Sequence, residues 1–332
     1  MSRVSNAGVW RILGNFLIVV LLALPGVILE FGVSSPSTPF QRGFYCNDEN
    51  IRYPFKKSTV GNAPSVALSL GIPVVGMVIV EWLLFRRYKA LGELSRHVPM
   101  YRGTKILCLK VHSYIVGLFS AYIPFLFAAT VTLSLTNTLK FLVGRLRPHF
   151  LAVCHPNLTD QLCRDDSGYY TYVQDFHCDP HADQYYLLQA RLSFPSGHAS
   201  GATCCFIYFA LYLQFRMVWK GPYLLKPFVQ VLSVVGAAMI AVSRISDYKH
   251  FWSDVLFGFF LGTVIGVWVA FVVSDLYFFE TPTEITTSVS TKEFNTSPSD
   301  TDLSTIIPMP NYQSTDTTAF NQFSGKKPPT NI

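Results

Sequence analysis

The sequence predicts an all-α, polytopic membrane protein with six transmembrane helices. The first observation is the composition: half of the 332 residues are hydrophobic, 14% are charged, and the mean hydropathy is +0.32. The second is that six apolar segments approach or exceed the roughly 20 residues that a helix needs to cross a bilayer. They lie at residues 12–33, 66–85, 113–139, 199–215, 227–243 and 255–274.

The third observation is a change of composition near residue 280. Residues 1–280 contain all six segments and predict one six-span domain, whereas residues 281–332 are rich in serine, threonine and proline. Such a segment cannot bury enough apolar surface to fold, so we expect a disordered cytoplasmic tail. The formal charge of +6 is spread among the loops and forms no basic stripe, so a nucleic-acid partner has no support.

The first apolar segment is interpreted as a retained span. Its apolar run is longer than the h-region of a signal peptide, and no small-residue cleavage site follows it. The loop between the second and third segments carries seven lysines and arginines, and the loop after the fourth carries three. The positive-inside rule places both loops in the cytoplasm, and six spans then place both termini there as well.

The predicted outer loops contain most of the cysteines. Residues 38–48, after the first span, have a proline, glycine and aromatic content that predicts an ordered loop near the membrane interface. Cys46, Cys154, Cys163 and Cys178 fall on this side, where disulfides can form, although their pairing stays open. The remaining cysteines, Cys108, Cys204 and Cys205, are interpreted as packing residues.

Two N-glycosylation sequons are present. Asn157 begins the first, in the longest predicted outer loop at residues 149–192, so we expect a glycan on it. Asn295 begins the second, but it lies in the predicted cytoplasmic tail and should remain unmodified.

The third span runs into a pair of cations. Lys140 and Arg147 are seven residues apart, about two helical turns, so they share one helix face until Pro148 ends the helix. Two cations at a membrane boundary repel each other unless an anion lies between them. Snorkelling of isolated basic side chains towards lipid headgroups is the alternative.

The fourth span is preceded directly by Phe194-Pro195-Ser196-Gly197-His198. Pro195 suits the first helical position, and Gly197 lets the backbone approach a ligand closely. The N–H groups at the start of a helix bind phosphate readily. This short pattern also occurs by chance, so its own specificity is modest.

The sixth span carries Gly258, Gly262 and Gly266 at four-residue spacing. Small residues at that spacing let two helices approach closely. We interpret them as a helix-packing ridge without a chemical role.

Residues 243–254, between the fifth and sixth spans, carry two basic residues, two aspartates and a histidine. Ionisable groups cost about 2.5–3.5 kcal/mol each at full membrane depth, so they usually mark a functional site. His250 and Asp254 are four residues apart, which places them on one face of a helix. The carboxylate can then hold one ring nitrogen and leave the other as a base or nucleophile. A solvated loop with a chance histidine–aspartate pair is the alternative.

The predicted topology brings these clusters to one place. With both termini in the cytoplasm, the third span ends, and the fourth and sixth begin, at the same outer face. Three cations, two histidines, one carboxylate and a helix start would surround one point, which predicts an anionic ligand. A phosphomonoester, with a charge of about −1.5 to −2 and several acceptor oxygens, fits this set.

Three motifs together resemble the signature of type 2 phosphatidic acid phosphatases. They are Lys-x6-Arg-Pro at 140–148, Pro-Ser-Gly-His at 195–198 and Ser-Arg-x5-His-x3-Asp at 243–254. Residues 38–48 and 145–149 further resemble animal lipid phosphate phosphatases. The resemblance implies a PAP2/haloperoxidase-like helical core and magnesium-independent hydrolysis of phosphatidate, lysophosphatidate, sphingosine 1-phosphate and ceramide 1-phosphate, with no metal and no cofactor. Together with the charge-based orientation, we expect a plasma-membrane enzyme with an extracellular active site, although an internal membrane stays open.

The same resemblance implies a role for each matched residue. His250 would attack phosphorus and form a phosphohistidine, and Asp254 would orient and charge-balance its ring. His198 would protonate the leaving alkoxide and then activate water. The residues implied to hold the phosphoryl oxygens are Lys140, Arg147, Ser196, Gly197 and Arg244.

Other functions are weighed against this one. A non-catalytic, lipid-binding relative of the phosphatases would lack key motif residues, which are all present here. A polyprenyl pyrophosphatase, a glucose-6-phosphatase-like enzyme or a phosphotransferase of the same superfamily is separated by a substrate panel. A channel or transporter is supported only by polar residues near the membrane. The expected partners are phosphorylated lipids and the bilayer, and the sequence leaves open whether the chain forms a homo-oligomer.

Overall fold

The computed structural model describes residues 3–31, 39–90, 105–106, 109–110, 113–217 and 221–274. The predicted tail at 281–332, Cys108 and the sequon at Asn295 lie outside these residues. The described chain is mostly helical, as predicted. Its elements, in order, are α1 (Arg3–Phe31), β1 (Phe44–Tyr45), a 3-10 turn (Glu49–Ile51), α2 (Asn62–Ala90), β2 (Lys105–Ile106), β3 (Leu109–Lys110), α3 (Ser113–Val143), α4 (Phe150–Cys154), α5 (Asp160–Cys163), β4 (Tyr172–Val173), α6 (Gln184–Ala190), α7 (Gly197–Arg216), α8 (Leu225–Ser246) and α9 (Trp252–Trp268), which continues as a π-helical turn (Val269–Val273).

Four helices in the described part of the chain are long and apolar enough to cross a membrane. They contain Asn62–Arg87, Gly117–Val143, Leu225–Ser246 and Trp252–Val273. In α1 the described apolar stretch is shorter, Leu13–Leu29, and α7 is not among the four helices. The protein is therefore an integral membrane protein, but the count of six spans is not confirmed.

Helix α7 lies in the middle of the helical bundle, where it packs against α9, α8, α2 and α3. Twelve of its 20 residues are buried, so it needs less apolar surface than a helix that faces lipid. Cys204 and Cys205 belong to the main apolar core together with Phe125 and Met77. The interpretation of these two cysteines as packing residues is confirmed.

A buried ion pair connects α2 to the C-terminal end of α7. The guanidinium of Arg216 lies 3.0 Å from a carboxylate oxygen of Glu81, which also accepts a hydrogen bond from the Tyr212 hydroxyl at 2.8 Å. Both charged side chains are almost fully buried, so removing one partner would leave an uncompensated buried charge. The pair fixes α2 against α7 at this end of the bundle.

The predicted glycine ridge packs α9 closely against α7. A β-carbon on Gly262 would lie 2.3 Å from the Ser200 carbonyl oxygen, and one on Gly258 would lie 2.7 Å from that of Ser196. Neither distance is possible for a real side chain, so only glycine allows this approach. The prediction of a packing ridge is confirmed, and the ridge brings the N-terminal ends of both helices together.

Helix α3 ends earlier than predicted. Its last residue is Val143, and Gly144 follows in the left-handed region at φ 55°, with its amide bonded to the Lys140 carbonyl at 3.0 Å. A β-carbon on Gly144 would also lie 2.0 Å from the Phe40 carbonyl oxygen. The prediction that Lys140 and Arg147 share a helix face up to Pro148 is therefore wrong. Arg147 instead follows the helix, and its amide bonds the Ala190 carbonyl at 2.8 Å.

A second apolar core lies in a disulfide-bonded layer formed by the loop before α2 and by residues 144–192. Phe44, Phe150 and Val173 are buried there, and β1 pairs with β4 in antiparallel register. The disulfides are Cys46–Cys163 and Cys154–Cys178. The predicted disulfides are confirmed, and the structure supplies the pairing that the sequence left open.

Candidate active site

The start of α7 forms one side of the site. Ser196 is the N-cap residue, and its hydroxyl accepts a hydrogen bond from the Ala199 amide at 3.5 Å. The Ser196 amide donates to the Asp254 backbone carbonyl at 3.1 Å, which joins the starts of α7 and α9. Pro195 precedes the N-cap, so the prediction that it occupies the first helical position is wrong.

Gly197 and Lys140 bring two motifs into contact. Lys140 is buried, and its Nζ lies 3.3 Å from the position that a β-carbon on Gly197 would occupy. Any larger residue at position 197 would press against this ammonium group. The glycine thus leaves room for a cation directly beside the start of α7.

His250 lies in the turn between α8 and α9 and is 4% exposed. Its Nδ1 lies 2.6 Å from the Ser193 carbonyl oxygen. Because a carbonyl can only accept, Nδ1 must carry the proton, and Nε2 keeps its lone pair. Burial is the main cause that lowers the pKa of His250, and Arg147 and Lys140 lower it further, whereas Asp254 opposes the shift. The ring is therefore a neutral, oriented imidazole near pH 7.

Asp254 is arranged differently from the prediction. Its Oδ2 lies 3.9 Å from His250 Nδ1, which is close enough for an ion pair but too far for a hydrogen bond. Oδ2 instead accepts from the Ser193 hydroxyl at 2.6 Å and from the Phe251 amide at 3.1 Å. His250 precedes α9, so the prediction that both residues lie on one helix face is wrong. The carboxylate stays within ion-pair distance of the ring, while the Ser193 carbonyl accepts the Nδ1 hydrogen bond.

Ser193 and Arg145 are therefore site residues that sequence reasoning missed. Ser193 contacts both members of the pair, since its carbonyl accepts from His250 and its hydroxyl donates to Asp254. Arg145 Nη1 lies 2.5 Å from Asp254 Oδ1 and 2.9 Å from the Ser253 hydroxyl. Arg145 could have been suspected, because it lies two residues before the motif residue Arg147.

His198 has an unsatisfied nitrogen. Within the part of the chain that the structure describes, its Nε2 is buried and has no hydrogen-bond partner. Its charged neighbours are Arg244, Lys140 and Arg147. A buried polar atom without a partner costs about 1–3 kcal/mol, so such an atom is expected to meet a ligand.

The other cations surround the two histidines. Arg244 is 2% exposed and forms an ion pair with Asp247 at 2.7 Å. Arg147 donates to the Gln189 side chain at 3.0 Å and to the Leu192 carbonyl at 3.4 Å. These contacts restrain both guanidinium groups close to the histidines.

Lys249 adds a cation to which sequence reasoning assigned no role. It is 6% exposed, and its Nζ lies 3.6 Å from the centre of the Phe55 ring. Burial, and then the charges of Arg147 and Arg244, lower the pKa of Lys249 to about 8. Its place directly before His250 was the available signal.

Taken together, the site has a neutral imidazole with a free Nε2, a second imidazole, buried cations and the start of a helix. Such a set can stabilise a phosphoryl group while a nucleophile attacks it. Among the described residues, no three histidine, cysteine, aspartate or glutamate side chains come together as a metal site. Asn157 is exposed in the disulfide-bonded layer, as a glycan acceptor must be.

Comparisons with known proteins give one protein family and several relatives that are named as phosphatases. The family model described as the PAP2 superfamily matches residues 121–277. Phospholipid phosphatase 1 of Rattus norvegicus is 36% identical over 261 residues, which cover 78% of this chain and 83% of that protein. Phospholipid phosphatase 2 of Mus musculus is 35% identical over 80% of this chain and 87% of its own length. A putative phosphatidate phosphatase of Drosophila melanogaster is 36% identical over 72% of this chain and 63% of its own length. No solved structure matches the chain.

Proposed function

The chain belongs to the type 2 phosphatidic acid phosphatase family, and on that basis we propose that it hydrolyses phosphatidate, lysophosphatidate, sphingosine 1-phosphate and ceramide 1-phosphate through a phosphohistidine. The observation that carries this proposal is the state of His250. Its Nδ1–H is bound to a carbonyl, so a lone pair on Nε2 is available for attack. A non-catalytic lipid-binding role is less well supported, because nothing in such a role requires an oriented, neutral imidazole among cations.

In the first step, His250 Nε2 attacks phosphorus and the bond between phosphorus and the lipid oxygen breaks. Burial, and then the charges of Arg244 and Lys140, lower the pKa of His198 to about 4, so its ring takes up a proton when the dianionic substrate offsets those cations. It then gives that proton to the departing alkoxide. In the second step, neutral His198 takes a proton from water, the hydroxide attacks phosphorus, and the phosphorus–nitrogen bond breaks. Inorganic phosphate leaves, His250 returns to its neutral form, and His198 is protonated again.

The charge that develops during both steps is stabilised by fixed donors. Lys140, Arg147, Arg244 and the Gly197 amide contact the phosphoryl oxygens in this proposal, and Lys249 joins them. The Ser196 hydroxyl caps α7 and can also donate to an oxygen. Removing one such donor typically lowers kcat by about 10²–10³-fold.

The function is tested by phosphate release from purified protein in detergent micelles. Each of the four lipid phosphates is offered beside a polyprenyl diphosphate and glucose 6-phosphate. We expect release from the lipid monoesters. No release by folded protein would contradict the assignment as an active enzyme, and preference for the diphosphate would support the pyrophosphatase alternative.

The topology belongs to the same proposal: six spans, cytoplasmic termini, and the active site at the outer face of the plasma membrane. The loops rich in lysine and arginine support this orientation. We expect Asn157 to carry a glycan, because this topology places it on the same side of the membrane as the site. Asn157→Gln should abolish a glycosidase-sensitive shift in electrophoretic mobility. Glycan at Asn295 with none at Asn157 would invert the orientation.

Activity is expected to persist without divalent metal. The cationic side chains supply the charge stabilisation that Mg²⁺ provides in other phosphoryl-transfer enzymes. Excess EDTA should leave the initial rate of phosphate release unchanged, and a magnesium-dependent phosphatase assayed in parallel controls for chelation. If EDTA abolished activity and Mg²⁺ restored it, the metal-independent mechanism would be wrong.

The dependence of kcat/KM on pH should reflect the loss of the proton from the Lys249 ammonium group. Its pKa of about 8 means that the ammonium is charged below that pH and neutral above it, so phosphate binding weakens as the pH rises. Between pH 7 and pH 9, kcat/KM should fall by about threefold to tenfold, and kcat should change less because a bound dianion keeps the lysine charged. Lys249→Arg retains the charge and should move the decline to higher pH. If kcat/KM fell over the same pH range in Lys249→Arg, a group other than Lys249 would be responsible for the decline.

A further inference from the structure

The described part of the loop between α1 and α2, residues 39–61, reaches the active-site turn. The Thr59 amide donates to Asp247 Oδ2 at 2.8 Å, and the Thr59 hydroxyl donates to Asp247 Oδ1 at 2.7 Å. The two residues are 188 positions apart in the chain. Thr59 thus binds both oxygens of one carboxylate, through its backbone and its side chain.

Asp247 connects Thr59 to Arg244, a residue of the third motif. Its Oδ2 also accepts a hydrogen bond from Arg244 Nη2 at 2.7 Å, and the two side chains are 7% and 2% exposed. Arg244 Nε donates to the Ser243 hydroxyl at 3.2 Å. Charge-assisted hydrogen bonds of this kind fix the direction of a guanidinium as well as its position. The orientation of Arg244 is therefore set by a carboxylate that the α1–α2 loop holds.

The same loop supports the turn that carries His250. Tyr248 has φ 56°, a left-handed conformation that costs a residue other than glycine about 1–2 kcal/mol. The Tyr53 ring stacks on the Tyr248 ring at 4.7 Å, and Lys56 Nζ lies 4.3 Å from the centre of that ring. Such a conformation persists where the surroundings hold it.

The end of the loop reaches the second histidine. The Gly61 backbone interacts with the His198 ring. One segment outside all three motifs thus contacts the surroundings of Arg244, His250 and His198.

We propose that the α1–α2 loop is a positioning element of the phosphate site, in which Thr59 and Asp247 act as positioning residues for Arg244. The proposal rests on the proposed function, since it assigns Arg244 to a phosphoryl oxygen. Without the Asp247 carboxylate, the Arg244 guanidinium would be repelled by the neighbouring cations. A displacement of about 1 Å in such a group can cost about 100-fold in rate.

The test compares Thr59→Val with Thr59→Ser in the purified full-length protein. Valine keeps the shape and the backbone amide but removes the hydroxyl donor, and Thr59 is exposed, so the variant should fold. Calorimetric titration with inorganic phosphate measures binding without turnover. We expect the Kd to rise about fivefold to twentyfold in Thr59→Val, and to stay within about twofold of wild type in Thr59→Ser. Inhibition by orthovanadate should weaken by a similar factor.

Thr171→Val is the matched control, because the Thr171 hydroxyl bonds the Leu162 carbonyl at 3.2 Å within the disulfide-bonded layer, away from Asp247. Its phosphate affinity should equal that of wild type. Unchanged phosphate binding in Thr59→Val would overturn the proposal. Equal losses in Thr59→Ser or Thr171→Val would do so too, because they would indicate general destabilisation.

The two proposals can fail separately. Wild-type protein that binds phosphate but releases none from lipid phosphates would refute the proposed function, and the titration would still decide whether Thr59 positions the site. Wild-type protein that does not bind phosphate at all would overturn the positioning proposal.

Discussion

His250→Ala should lose both turnover and the covalent phosphoenzyme, whereas His198→Ala should lose turnover and keep a phosphoenzyme. Each variant is expected to lower kcat by about three orders of magnitude or more, since a nucleophile and a general acid each contribute on that scale. The division follows from the two environments. His250 has its Nδ1–H fixed on Ser193 and a carboxylate 3.9 Å away, which balances the charge of a phosphorylated ring.

His198 has a different environment. Its ring lies at the start of α7 among Arg244, Lys140 and Arg147, which favours release of a proton to a departing oxygen. An activated phosphate ester needs no proton on its leaving group. Such a substrate should therefore still phosphorylate His250 in His198→Ala, although water will remove the phosphate slowly.

Rapid quenching with labelled substrate, followed by a test of acid lability, measures this directly. His177→Ala is a matched control, because His177 is an exposed histidine of the disulfide-bonded layer. It should retain wild-type turnover. An acid-labile phosphoenzyme that persists in His250→Ala and vanishes in His198→Ala would reverse the two roles.

Asp254→Asn is expected to lower kcat by about 100-fold with a smaller effect on KM. The Asp254 side chain is fully buried and accepts from Ser193, Phe251 and Arg145. The asparagine side chain keeps the shape of the aspartate but lacks the negative charge that balances a cationic phosphohistidine. The substitution therefore destabilises the transition state more than it weakens substrate binding. Asp254→Asn also weakens the ion pair with Arg145, which is 31% exposed, so the unfolding temperature is measured in parallel.

Ser193→Ala distinguishes the effect of the charge of Asp254 from the effect of its orientation. The variant keeps the backbone carbonyl that binds His250 and removes only the hydroxyl that donates to Asp254. We expect a loss of about tenfold or less in kcat, well below that of Asp254→Asn. If Asp254→Asn retained kcat within about threefold of wild type, the carboxylate would have no part in balancing the intermediate.

Several features followed from the sequence because their signals are local. Helices are recognised from runs of apolar residues, and the ridge of Gly258, Gly262 and Gly266 from a spacing within one helix. The cysteines of the disulfide-bonded layer were separated from Cys204 and Cys205 by the apolar segments around them. The candidate site residues were found in the same way, since each motif is a short stretch of chain.

The end of α3 shows where a local signal was misread. Pro148 was expected to end the helix, but Gly144 ends it four residues earlier. Glycine at this position was visible in the sequence. Its role depends on the Phe40 carbonyl, which leaves no room for a side chain and comes from a distant part of the chain.

The sequence by itself thus determined which residues carry charge, which segments are apolar enough to form the bundle, and which motifs the site could use. Only the tertiary structure decided how those residues meet. The link between Cys46 and Cys163, the contact of Thr59 with Asp247, and the position of Ser193 between His250 and Asp254 all join residues far apart in the chain. Such contacts depend on how whole elements pack, and packing at one point reflects the shape and volume of every neighbouring side chain, which no spacing within a single stretch of sequence records.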